Sequence, residues 1–139
     1  MTKARHPRTS VITDGRTKDE DLPDVAPGEE FEVLITPQKF VVLHRILVRE
    51  MTLVHLRIGE VDVPFARASV GDQVTIYRLG DLASLKKQLA EAGAIVAPNN
   101  TIAIPPATDV RVDVRVTLHN HKNTPAKPRA GLFVQEEEP

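Results

Sequence analysis

From Glu30 onward, apolar and polar residues alternate with a period of two, the mark of strands half-buried in a sheet. Phe31, Val33 and Ile35 alternate with Glu32, Leu34 and Thr36. After a Thr36-Pro37-Gln38 break, Lys39 to Val48 predicts a second strand. Phe40, Val42, His44, Ile46 and Val48 line one of its faces; Val41, Leu43 and Leu47 line the other, with Arg45 and Arg49. A strand apolar on both faces is expected to be central, or to have its outer face covered by a partner. Leu53 to Ile58 is a third strand, ending at a Gly59-Glu60 turn. Val61, Val63 and Phe65 alternate next, and Pro64 marks that strand as short or at an edge. Val74 to Leu79 follows the Gly71-Asp72 turn. Ile95-Val96 and Thr101 to Ile104 flank a Pro98-Asn99-Asn100 turn. In the most regular strand, Val110, Val112, Val114, Val116 and Leu118 alternate with Arg111, Asp113, Arg115 and Thr117. Ala130 to Val134 closes the series.

One segment breaks this rhythm. Leu82, Leu85 and Leu89 recur at helical spacing over Asp81 to Ala92, with Asp81 as N-cap and Gly93 as the stop. So narrow a stripe predicts a helix lying on the body. Short strands with frequent turns and one inserted helix predict an all-β fold, an antiparallel β-sandwich. Within that class the jelly roll is preferred.

Composition agrees. Val occurs 17 times, so the core of this 139-residue chain is aliphatic, and 11 Pro and 7 Gly punctuate many short strands. The absence of Cys removes disulfides, thiol nucleophiles and cysteine metal sites. One Tyr, four Phe and no Trp argue against a base-stacking or sugar-binding surface. A net charge of −1 gives no general attraction to nucleic acid or membrane. No apolar run reaches the ~18–20 residues of a membrane span, and no apolar segment follows the basic start, so a secretory signal is not expected.

The charge is unevenly distributed. Lys3, Arg5, Arg8, Arg16 and Lys18 dominate the start, and Glu136, Glu137 and Glu138 form an acidic tail. Residues 1–27 therefore read as an extended N-terminal arm that cannot fold alone, and 28–139 as the sandwich domain. Such an arm is a solvated tail, an inter-subunit contact reaching the acidic tail of a neighbour, or a salt-sensitive contact to nucleic acid. The last is the weakest reading, because no aromatic residues interleave the charges.

Catalytic signatures are missing. Ser10, Ser69 and Ser84 lie in no nucleophile elbow, and there is no glycine-rich phosphate loop. His119-Asn120-His121 has a metal-like spacing, but no carboxylate or further His follows it, so a polar turn is the simpler reading. His44 and His55 fall on successive predicted strands and could face each other as a metal pair or pH sensor; a half-buried His within a sheet is the plainer alternative. Asp62 and Asp72 read as turn carboxylates. No cofactor, metal or small-molecule substrate is expected.

Two stretches carry a resemblance. Gln38-Lys39-Phe40, Arg45-Ile46-Leu47-Val48 and Leu56-Arg57-Ile58-Gly59 form the first. The second is Ile104-Pro105-Pro106, the strand Val110 to Val116, Asn120, Pro125 and Pro128-Arg129-Ala130-Gly131-Leu132-Phe133. Over roughly residues 30–135 the chain resembles small single jelly-roll virion structural proteins of bacteriophages, which build or decorate a capsid. The resemblance implies a non-enzymatic capsid subunit or capsid-bound cement or spike protein. It would be located in the virion and would assemble with copies of itself or other capsid proteins. The competing readings are a β-sandwich module binding carbohydrate or a protein, and a His-dependent metal barrel enzyme.

Overall fold

The computed structural model describes residues 8–13, 22–67, 73–76, 83–97, 101–105 and 112–136. Two antiparallel sheets pack as a sandwich around an aliphatic core. The larger contains β1 (Arg8–Ile12), β3 (Val41–Arg49), β6 (Phe65–Arg67), β7 (Gln73–Ile76), β8 (Ile95–Ala97), β9 (Thr101–Ile104) and β11 (Arg129–Glu136). The smaller contains β2 (Glu30–Ile35), β4 (Thr52–Ile58), β5 (Val61–Asp62) and β10 (Val114–His119), in the order β2-β10-β4-β5.

The pairing is nested. The first strand, β1, pairs with the last, β11, and β2 pairs with β10. Inside these, β3 pairs with β7 and β9, and β4 with β5, all antiparallel. Strands β7 and β9 lie end to end along one side of β3: Val74 sits opposite Ile46, and Ile102 opposite Leu43. They form one line of strand, interrupted by an excursion that carries α1 (Ala83–Ala92) and β8.

The helix rests on the body through Leu85 and Leu89, as its narrow stripe predicts. It ends in a Schellman motif: Gly93 takes φ 100°, its N–H donates to Ala90 O, and Ala94 N–H donates to Leu89 O. The proposed cap Asp81 and Leu82 lie outside the described residues.

Three sequence expectations change. First, β3 is not apolar on both faces in the predicted phase. Phe133 pairs with Arg45 but Val134 with Leu43, so His44 is a bulge. An extra residue reverses the alternation. Val41, Leu43, Ile46 and Val48 therefore all point inward and are buried, while Val42, Arg45 and Leu47 face out. Second, Val61 to Phe65 is not one strand. β5 belongs to the small sheet and β6 to the large one, and the chain crosses at Val63-Pro64, where proline withholds a ladder donor. Third, part of the predicted arm is built into the domain. Val11 and Ile12 lie opposite Phe133 and Leu132 in β1, and Val25 bridges to Ala126.

Another crossing between sheets is at Glu50, which takes φ 65° while Met51 N–H donates to Arg49 O at 2.7 Å. This tight reversal lets β3 and β4 enter opposite layers with Met51 buried beneath it.

Candidate interaction surfaces

With the aliphatic side chains turned inward, the chemistry lies on the two outer faces and in the turns. On the small sheet, β10 sets Arg115 between Leu34 and Arg57, and Thr117 between Glu32 and His55. A bulge at Val54, between the Thr117–His55 and Leu118–Leu53 pairs, leaves Val54 exposed. Asp62 sits across from Arg57 on β5. Its Oδ1 accepts from Arg57 Nε at 2.9 Å and from His55 Nε2 at 2.6 Å. These two bonds, Arg57 first, hold the Asp62 carboxyl below its ordinary 3.8. Arg115 Nη2 reaches Glu60 at 3.7 Å, while its Nε is shielded with no hydrogen-bond partner.

The outer face of the large sheet is different. Phe133 is flanked by Arg45, whose guanidinium carbon lies 5.0 Å from the ring centroid, and by the His44 ring edge-on at 6.1 Å. His44 Nε2 lies 3.4 Å from Gln135 Oε1. Val11 is half exposed beside Phe133 and lies over Gly131, where an added Cβ would come within 2.7 Å of Val11 Cγ1. Glycine is thus needed for β1 to close on β11.

His44 and His55 stand in different sheets and do not face each other, so the expected pair is absent. His119 faces outward on β10, and His121 Nδ1 shares a 2.8 Å hydrogen bond with Thr52 Oγ1. Among the described residues, no three His, Cys, Asp or Glu side chains gather as a metal site.

The residue between those histidines matters more. Asn120 is fully buried. Its Nδ2 donates to Val25 O at 2.8 Å and Thr124 O at 2.9 Å, and its Oδ1 accepts from Lys122 N–H at 3.0 Å. Its backbone exchanges bonds with Gly28 N and Glu29 O. Asn120 therefore clips residues 25–29 to the turn after β10, helped by Lys127, which bonds Leu22 O and pairs with Asp24 at 3.0 Å. A polar residue after an unbroken apolar alternation was the available signal.

Of the arm and tail residues, Arg8 and Glu136 are opposite in register within one chain. Lys3, Arg5, Arg16, Lys18, Glu137 and Glu138 lie outside the described residues, as do Asp72 and Tyr77. A shallow cleft of about 470 Å³ lies between α1 and the small sheet, edged by Glu60, Gln88, Glu91, Asp113 and Arg115.

No family model matches the chain, and no curated protein or solved structure is significantly similar to it.

Proposed function

We propose that this chain is a non-enzymatic structural protein of a bacteriophage virion, a capsid subunit or a capsid-bound cement or spike protein. The nested strand pairing carries the reading. First with last, second with second-last, and so inward is the order expected of a jelly roll, an architecture used by viral shells, and its presence in a sandwich of one seven-stranded and one four-stranded sheet supports the reading. The inference to a shell is one of fold-level analogy, joined to the resemblance in the strands. Val42, Leu47 and Val11 on the outside of the large sheet supply apolar area for packing against neighbours. Lys3, Arg5, Arg16, Lys18, Glu137 and Glu138 remain the proposed terminal contacts between subunits, whereas β1 also completes its own sheet.

Negative-stain electron microscopy of the full chain, concentrated at low salt, tests this. Closed shells, rings or another defined particle are expected. Monodisperse monomers that never assemble, alone or on host-derived capsids, would contradict it.

A binding module is the second reading, and the cleft beside α1 favours it. Its volume of about 470 Å³ falls in the range of small-ligand sites, and lectins also use jelly rolls. Binding on a glycan array that Arg115→Ala abolishes would put this reading first.

A further inference from the structure

We infer that the outer face of the large sheet docks the acidic β2 edge of a second copy, making a head-to-tail contact. This deepens the assembly reading and rests on it.

Two surfaces complement each other. On the large sheet, Val11, Val42 and Leu47 lie among Arg45, Phe133 and Arg49. Among its described outward positions, the strands of this face carry no carboxylate; Glu50 stands at its corner and pairs with Arg129 at 3.5 Å. On the small sheet, β2 is an edge strand among the described residues, where it pairs with β10 alone. It presents Glu30 and Glu32 to solvent with Leu34 beside them, and Glu29 precedes it, also exposed. Asp24, Glu50, Glu60 and Asp62 have cationic partners, whereas Glu29, Glu30 and Glu32 have none among the described residues. One surface is apolar and cationic; the other is anionic with an apolar residue in its midst. They belong to opposite layers, so one copy cannot join them to each other.

Such a contact is heterologous: each copy offers both surfaces to different neighbours, and the chain of contacts makes a ring where the rotation between copies closes and a filament where it does not. Its size fits that use. Five strands about 4.8 Å apart and roughly 20 Å long offer roughly 500 Å², short of the ~800 Å² per partner of a standard interface. One contact is weak, and many repeated around a closed assembly hold.

A charge-swap experiment in the full chain tests it, read by sedimentation velocity with circular dichroism to confirm folding. Arg45→Glu/Arg49→Glu makes both surfaces acidic, and Glu30→Lys/Glu32→Lys makes both basic. Each double variant alone is expected to self-associate at least about tenfold more weakly than the unaltered chain. Mixed one to one they are expected to associate again, because each supplies the charge the other lost. Raising salt from about 0.05 M to about 0.5 M is expected to weaken the unaltered contact. If the unaltered chain assembles and both variants assemble equally well, the interface lies elsewhere and only this inference falls. A chain that stays monomeric at low salt overturns this contact, and the assembly reading falls with it only if the chain also fails to bind capsids.

Discussion

The two sheets share an inner face and differ in their outer one. Inside, both present Val, Ile and Leu, with Leu56 and Leu132 fully buried. Outside, the small sheet ties Arg57 to Asp62 and Arg115 to Glu60 in ion pairs, with His55 hydrogen-bonded to the same Asp62, leaving the β2 edge acidic. The large sheet sets apolar side chains around Phe133 and Arg45. An ion-paired face is satisfied in water, and its pairs contribute little to stability. An apolar face ringed by arginine gains from being covered. Folding thus constrains the inner faces alike, and the outer faces divide the remaining work.

The largest expected effect tests the likeness. Leu132→Ala and Leu56→Ala each remove a fully buried side chain, one from each layer. Each is expected to cost about 2–5 kcal/mol in urea unfolding. A loss under about 1 kcal/mol in one of them would mean that the layers are not packed alike.

Asn120→Ala comes next. It removes one of the two hydrogen bonds that Val25 O accepts, the other coming from Ala126 N–H, and takes the side-chain partner from Thr124 O and Lys122 N–H at the half-buried turn. The expected cost is about 1–3 kcal/mol, with faster amide exchange at Gly28 and Glu29. Unchanged exchange there would show that the β-ladder alone holds this segment.

Gly131→Ala probes the large sheet's edge. The new methyl meets Val11 Cγ1, so β1 must shift, at a cost of about 1–2 kcal/mol. Loss of protection confined to β1, relieved by adding Val11→Ala, is the expected hydrogen-exchange pattern. Loss spread over both sheets would make β1 an integral part of the core.

The smallest effect belongs to the ion pairs. Because the folded Asp62 pKa is depressed, its contribution is present above its ordinary 3.8 and is lost as pH falls through the lower folded value. Asp62→Asn should therefore lower the urea midpoint slightly at pH 7 and leave it unchanged in strong acid. Equal effects at both pH values would point to packing in place of charge.

Much of this was legible in the chain. The alternation over Val112 to Leu118 predicted its buried face, and Leu85, Leu89 and Gly93 marked the helix and its end. What escaped were departures from strict periodicity. A bulge adds one residue without changing composition, so the phase reversal at His44 left no mark in the pattern. Pro64 signalled an interruption, but a change of sheet is a tertiary event. The clip at Asn120 looked like an ordinary turn, since its partners Val25 and Gly28 are distant in sequence. Likewise β1 was hidden in a charged segment, because its ladder depends on Gly131 more than a hundred residues away.

The most direct test of assembly through the apolar face is the solution mass of the full chain by light scattering, followed over rising concentration at low salt. The account predicts growth to a defined oligomer or shell, reversed by Arg45→Glu/Arg49→Glu. A monomer mass at every concentration would contradict it.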